Sequence, residues 1–137
     1  MIQRVVHERF VERSSGERTL LITMVEAHLA SEDDMDRMLA AAREQITTSR
    51  GDEGCVDYNF SRDVLDPLVL HVVEVWQDEP TLHVHMKSAH RARYIAAIKA
   101  ANVSMTTVKA RMFETSGESD LKAYIELLAA EIASERG

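Results

Sequence analysis

Residues 68–76 read Leu68-Val69-Leu70-His71-Val72-Val73-Glu74-Val75-Trp76. The run is rich in β-branched residues and has apolar side chains at both odd and even positions, which predicts a β-strand covered on both faces. A short turn at 63–67 separates it from another strand over 54–60, whose alternating face would carry Val56, Tyr58 and Phe60. Two strands joined by so short a turn are expected to form an antiparallel hairpin.

The segment before this hairpin predicts one strand and one helix. Residues 19–27 (TLLITMVEA) are β-prone and mostly apolar, so we expect them to form the first core strand. Ser31 is the predicted helix N-cap, because its hydroxyl can accept a hydrogen bond from an orphan amide and the three acidic residues that follow it favour the positive end of the helix dipole. The helix should end before Gly51, and its apolar stripe consists of Met35, Met38, Leu39, Ala42 and Ile46.

The segment after the hairpin predicts a helical stretch and a fourth strand. Asp78 is an N-cap with Pro80 in the first turn, and the helix continues with interruptions to about Ala100. Residues 102–113 form the fourth strand. The order β-α-β-β-α-β predicts an α+β, ferredoxin-like domain, in which both helices pack on one face of a four-stranded antiparallel sheet.

The two ends of the chain lie outside this pattern. Residues 1–18 are an N-terminal extension that contains at best an edge strand, and residues 114–137 carry an extra C-terminal amphipathic helix. The ferredoxin-like domain therefore covers residues 19–113. We expect the apolar stripe of the last helix to pack on the domain or across a dimer; it consists of Leu121, Ile125, Leu128 and Ile132.

Composition excludes several classes of function. The chain has 137 residues, the size of one domain, and its net charge of −7 argues against a protein that binds nucleic-acid phosphates. The single cysteine, Cys55, excludes an intrachain disulfide, and we interpret it as a small buried apolar group. No window approaches the ~20 apolar residues of a membrane helix, and charged residues at the start argue against a signal peptide. We therefore expect a cytoplasmic protein without a membrane partner.

The sheet itself predicts an assembly. With both helices on one face, the other face would be bare in a single chain, and the third strand is apolar on both sides. A second copy of the sheet is the simplest cover for such a surface. The pattern therefore predicts a homodimer that buries sheet against sheet.

Three short motifs lie on successive elements. They are Gly54-Cys55-x-x-Tyr58, Glu74-x-Trp76 and His85-x-x-Ser88-x-His90. In order and spacing they resemble the antibiotic biosynthesis monooxygenase (ABM) domain family, over roughly residues 19–113. The resemblance implies a fold of the dimeric α/β-barrel type and quinol-monooxygenase-like chemistry, in which a phenolic or quinol substrate reduces molecular oxygen without flavin, metal or haem.

The resemblance leaves more than one function open. The leading interpretation is a cofactor-independent monooxygenase, an oxidoreductase whose partners are a small molecule and oxygen. One alternative is a non-catalytic dimeric small-molecule-binding or stress-response protein, and another is an isomerase of a small polar metabolite. Haem-degrading relatives carry an Asn on the first strand and a Trp on the second helical segment. This chain has no Asn there, and His85 stands at the Trp position, which argues against haem.

The candidate catalytic residues are His85, Glu74 and His71. His85 fits the family motif, and an imidazole can act as a general base or a hydrogen-bond donor; its structural alternative is to tie helix to sheet. Glu74 lies in an apolar strand, where a carboxylate is costly unless it is hydrogen-bonded. It would orient His85 or His90, or pair with a cation across the dimer interface. His71 is either a core or interface histidine or a base in the cleft.

The candidate substrate-binding residues are Tyr58, Trp76, Asn59 and His90. Tyr58 and Trp76 would line the cleft or pack in the core, and Asn59 has the opposite strand parity to Tyr58. No metal site is predicted, because His83 and His85 point to nearly opposite sides of a helix and no cluster has zinc spacing. The purified protein should therefore be colourless and metal-free, with no cofactor.

Overall fold

The computed structural model describes residues 19–136. These residues fall into two compact units, of which one is Leu21–Glu114 and the other contains residues 19–20 and 115–136. The interpretation of residues 1–18 as an N-terminal extension lies outside the described residues.

One four-stranded sheet forms the first unit's framework. Its strands are β1 Leu20–Leu29, β2 Cys55–Arg62, β3 Val69–Trp76 and β4 Met105–Thr115. They lie side by side in the order β2-β3-β1-β4, and β3 is antiparallel to both of its neighbours. The predicted hairpin of β2 and β3 is therefore confirmed, and the apolar run that forms β3 occupies an interior position of the sheet.

Three helices connect the strands: α1 Glu32–Ser49, α2 Glu79–Met86 and α3 Ala89–Ala100. Both predicted N-caps are confirmed, because Ser31 Oγ accepts a hydrogen bond from the amide of Asp34 at 3.1 Å and Asp78 Oδ1 accepts one from Thr81 at 2.9 Å. A third cap, Ser88, starts α3 and divides the helical stretch after β3. The element order is that of the predicted α+β, ferredoxin-like fold.

The core lies between one face of the sheet and the helices. Its larger cluster joins alternate strand residues to α1 and consists of Ala27, Leu29, Met35, Met38, Leu70 and Val72. A second cluster consists of Leu21, Tyr58, Trp76 and Leu82. Each fully buried Leu or Met contributes about 1.5–3 kcal/mol, so these contacts hold α1 and α2 against the sheet.

A β-bulge begins β2. Cys55 and Asp57 pair with adjacent residues of β3, so Val56 between them is an extra residue. Val56 is exposed, whereas Cys55 packs against the second core cluster. The prediction that Val56 shares the face of Tyr58 and Phe60 is therefore wrong, because the bulge interrupts the strand's alternation.

The apolar stripe of α1 ends in polar side chains. Met35, Met38 and Ala42 are buried as predicted, and the next buried positions at spacings of three and four are Gln45 and Ser49. An amide and a hydroxyl therefore stand on the buried side of the helix. A buried polar group is costly unless it is hydrogen-bonded, which makes Gln45 a candidate for a specific contact.

The second unit contains the predicted C-terminal helix, α4 Leu121–Arg136. None of these sixteen residues is buried, and Leu121, Ile125 and Ile132 are exposed. That this apolar stripe packs on the domain or across a dimer stays a prediction. Across residues 19–136, every helix lacks the length or the apolar character that a membrane span requires.

Candidate functional site

A cavity of about 450 Å³ opens between the sheet and the helices of the unit Leu21–Glu114. Its wall is largely apolar and includes Val25, Phe60, Val72, Leu82 and Met112. A few polar side chains converge on it, among them Gln45, Tyr58, Glu74 and His85. Small-molecule sites commonly have this size and this mixture of apolar wall and sparse polar groups.

His85 is buried where α2 packs on the sheet. The residue is 2% exposed, and its ring centroid lies 4.6 Å from that of Trp76 and 5.5 Å from that of Tyr58. Nδ1 lies 2.8 Å from Asp52 Oδ2, and Nε2 lies 3.8 Å from Glu74 Oε1. Because Glu74 belongs to the cavity wall, the Nε2 edge of the ring is the edge on the cavity side.

Glu74 and Trp76 form a hydrogen-bonded pair on β3. Trp76 Nε1 donates to Glu74 Oε1 at 2.8 Å, and Trp76 is fully buried. A buried indole N–H needs an acceptor and a poorly hydrated carboxylate needs a donor, so each group satisfies the other. The Glu74-x-Trp76 motif therefore holds a carboxylate at the cavity wall.

A chain of hydrogen bonds connects Tyr58 to Asp52. Gln45 Nε2 donates to the hydroxyl of Tyr58 at 3.0 Å, and His90 Nδ1 lies 2.7 Å from Gln45 Oε1. His90 Nε2 lies 2.9 Å from Asp52 Oδ2, the oxygen that also faces His85. Helices α1, α2 and α3 are thus tied together behind the cavity by polar side chains.

Burial keeps the phenols of the cavity wall neutral. Burial, with a further contribution from the negative charge of Glu74, raises the pKa of Tyr58 well above its usual range. Burial also raises the pKa of Tyr94 to about 12 and that of the Cys55 thiol to about 11. Near neutral pH both phenols are therefore protonated, and Cys55 is not a thiolate nucleophile. The Tyr94 hydroxyl donates to Met38 Sδ at 3.6 Å, whereas that of Tyr58 can donate to a ligand.

Two of the predicted site residues lie elsewhere. His71 Nε2 lies 2.8 Å from Asp63 Oδ1, and the ring lines a separate cavity of about 150 Å³. Asn59 is exposed, and its Oδ1 accepts a hydrogen bond from Arg50 at 3.1 Å. Strand alternation directs both side chains away from His85. The structure therefore brings together His85, Glu74, Tyr58, Trp76 and His90, without His71 and Asn59.

Two residues of the cluster, Asp52 and Gln45, are not among the candidates predicted from the sequence. Gln45 had a signal, because a polar residue at the spacing of the stripe Met35-Met38-Ala42 must be buried with it. The sequence contains no such signal for Asp52, because this residue lies in a turn and has a second carboxylate, Glu53, beside it.

Three residues offer atoms that a metal ion could bind. Asp52, His85 and His90 present one ligand atom each, all within 4.8 Å of one another, and two imidazoles with a carboxylate suit several divalent ions. Here one carboxylate oxygen faces both rings at 2.8 and 2.9 Å, whereas ligands bonded at about 2.0 Å to one ion would stand roughly 3.3 Å apart. We therefore interpret the group as a hydrogen-bonded cluster, and the absence of a bound metal stays a prediction.

Residues 21–97, more than half of the chain, match a family model described as antibiotic biosynthesis monooxygenase. A comparison with curated protein sequences finds no match.

Several solved structures share the fold. A conserved protein from Bacteroides thetaiotaomicron, named as a possible oxidoreductase, is 25% identical over 71% of this chain and 98% of its own, with a TM-score of 0.59. Rv0793 from Mycobacterium tuberculosis is 19% identical over 73% of this chain and 99% of its own, with a TM-score of 0.62. A Deinococcus radiodurans protein named as a candidate antibiotic biosynthesis monooxygenase is 22% identical over 73% and 95%, with a TM-score of 0.61.

Proposed function

The chain belongs to the antibiotic biosynthesis monooxygenase family, and from this premise we propose that it is a cofactor-independent monooxygenase that oxidises a small phenolic or quinol substrate with molecular oxygen. The observation that supports this proposal is the buried imidazole of His85, whose Nε2 edge lies on the side of a mostly apolar cavity of about 450 Å³. An apolar wall suits the flat ring of a phenol, and an imidazole can accept the proton of the phenol's hydroxyl group.

The proposed reaction begins with proton transfer. The substrate hydroxyl gives its proton to Nε2 of His85, and the phenolate that forms is electron-rich enough to reduce oxygen. One oxygen atom enters the ring and the other leaves as water, so that a phenol and O₂ give a quinone and water. The substrate supplies every electron that oxygen takes up, and no flavin or external reductant is required.

Polar groups of the cavity wall stabilise the charges that arise. The neutral hydroxyl of Tyr58 and the guanidinium of Arg91, both in the wall, are donors for a substrate oxygen that becomes negative. Glu74 lies 3.8 Å from Nε2 of His85 and stabilises the imidazolium after proton transfer. The role proposed for Glu74 is therefore electrostatic, and it requires the carboxylate charge.

Oxygen consumption by metal-stripped, flavin-free protein tests this function. With a panel of substituted phenols and naphthohydroquinones, we expect uptake that saturates with substrate and is insensitive to a chelator, after the autoxidation rate is subtracted. The purified protein should show no flavin or haem absorbance and no stoichiometric metal. Binding of these compounds without oxygen uptake would instead favour a non-catalytic binding or stress-response protein.

One distance favours a second candidate, an isomerase of a small polar metabolite. Glu74 Oε1 and His85 Nε2 are 3.8 Å apart on one cavity wall, so the two groups can move a proton between neighbouring atoms of a substrate. Such an enzyme would exchange a substrate C–H for deuterium in D₂O without consuming oxygen. The oxygen electrode therefore distinguishes the two reactions.

We also propose that the chain acts as a homodimer in the cytoplasm. On the sheet face opposite to the cavity, half-buried apolar side chains pair across β1 and β3, with Ile22 opposite Val75 and Met24 opposite Val73. A second copy would remove this apolar surface from water. Light scattering at micromolar concentration should give twice the chain mass of 15.4 kDa. A stable monomer would contradict the sheet-to-sheet arrangement.

A further inference from the structure

We propose that Asp52 is a positioning residue for His85, which it holds in the tautomer that leaves Nε2 free to accept a proton. The inference rests on the proposed function, because it concerns the group that takes the substrate's proton. It assigns to Asp52 the orienting role that the sequence motifs suggest for Glu74.

The position of Asp52 is fixed by its backbone. It lies in the turn between α1 and β2, where its amide donates to the carbonyl of Ser49 at 3.0 Å and its carbonyl accepts from the amide of Cys55 at 3.1 Å. Its side chain is 25% exposed, whereas that of His85 is 1% exposed. A carboxylate therefore stands between the buried imidazole and solvent, on the side away from Glu74.

The hydrogen bonds of Asp52 specify the protons on the rings. An ionised carboxylate only accepts hydrogen bonds, so Nδ1 of His85, which faces Oδ2 of Asp52 at 2.8 Å, must carry a proton. A neutral imidazole has one N–H, and in His85 that proton is on Nδ1. Its Nε2 then presents a lone pair on the cavity side. In the other tautomer a lone pair of Nδ1 would face the carboxylate at 2.8 Å, which is repulsive.

Glu74 cannot select the tautomer in this way. Its distance of 3.8 Å to Nε2 of His85 is too long for a hydrogen bond, and the same oxygen accepts the N–H of Trp76 at 2.8 Å. Glu74 therefore acts on His85 through charge alone. Asp52, at 2.8 Å, is the carboxylate that sets the ring's proton and orientation.

His90 holds Asp52 in this position. Its Nε2 binds the same oxygen at 2.9 Å, and its Nδ1 lies 2.7 Å from Gln45, which binds the hydroxyl of Tyr58. Because one oxygen of Asp52 contacts two buried rings, the carboxylate group cannot rotate without loss of both contacts. After the substrate's proton reaches Nε2, Asp52 remains ionised beside Nδ1–H and stabilises the imidazolium, as the aspartate does in a Ser-His-Asp triad.

The side-chain nitrogen resonances of His85 test the tautomer directly. Long-range ¹H–¹⁵N correlation spectra of the substrate-free protein, with the His85 ring assigned through its own backbone resonances, should place the proton on Nδ1 and leave Nε2 unprotonated. A proton on Nε2 alone would overturn the proposal. This measurement uses the wild-type chain, so it decides the matter even if a variant fails to fold.

Asp52→Asn and Glu53→Gln form a matched pair for the kinetic test. In Asp52→Asn the amide can donate to Nδ1, so the His85 proton should move to Nε2 and kcat should fall on the order of 10²–10⁴-fold, with little change in KM. Glu53 is the neighbouring exposed carboxylate, and Glu53→Gln should leave the spectrum and kcat unchanged. Equal kcat in wild type and folded Asp52→Asn would refute the positioning role alone. A proton on Nδ1 in a protein that oxidises no phenol would refute the proposed function but leave the tautomer assignment intact.

Discussion

Replacement of His85 by alanine is expected to lower kcat about 10²–10⁴-fold on any phenol or quinol that the wild-type chain oxidises. General acid–base groups contribute rate factors of this size, which correspond to about 2.7–5.5 kcal/mol of transition-state stabilisation. The ring is almost completely buried and pairs with Asp52, so its removal also leaves a cavity and takes from Asp52 one of its two histidine partners. Oxygen uptake must therefore be measured beside the melting temperature and normalised to folded protein.

Two further variants separate catalysis from structure. His83→Ala removes an exposed imidazole from the same helix and should change neither the oxygen uptake nor the melting temperature. Glu74→Gln keeps an acceptor for Trp76 but removes the charge, so turnover should fall while the melting temperature changes little. If His85→Ala and Glu74→Gln instead lose activity only in proportion to folded protein, their roles are structural. Full activity of His85→Ala would exclude it as the base, and His71 is no substitute, because it lies on the opposite sheet face.

Replacement of Gly54 by alanine is expected to lower the free energy of unfolding by about 3 kcal/mol. Gly54 has a φ of 80°, and a Cβ there would overlap the side chain of Thr81. Thr81 cannot move away cheaply, because its amide and hydroxyl both donate to the N-cap Asp78, at 2.9 and 3.1 Å. Backbone strain and overpacking therefore act together at this residue.

Gly51→Ala is the matched control for this prediction. A Cβ at Gly51 would meet only the carbonyl oxygen of Thr48 at 3.5 Å, an ordinary contact, so the free energy of unfolding should change by less than about 1 kcal/mol. Urea denaturation of the three proteins at one temperature gives the comparison. Equal stability of Gly54→Ala and Gly51→Ala would show that the turn and α2 adjust without cost. Because α2 carries His85, we expect the strained variant to lose turnover as well.

The fold was accessible from the sequence because its signals are local. The β-branched apolar run of β3, the stripe of α1 and the caps Ser31 and Asp78 each depend on residues within one strand or one helix. The bulge at Val56 was not accessible, because it arises where the turn before β2 meets α2, and neither segment alone specifies it. A single extra residue there changes which side chains of β2 face the core.

The sequence by itself determined the kinds and order of the elements and the three motifs that contribute His85, Glu74 and Tyr58 to one wall. Tertiary structure alone decided which carboxylate meets the imidazole, because Asp52 is 33 residues away from it in the chain and reaches it through the packing of α2 over the turn before β2. The tertiary structure also decided that His71 lies away from His85. Alternate residues of a strand face opposite sides of the sheet, and the packing of the helices determines which side encloses the cavity. Contacts of this kind depend on the whole core, and no local pattern carries them.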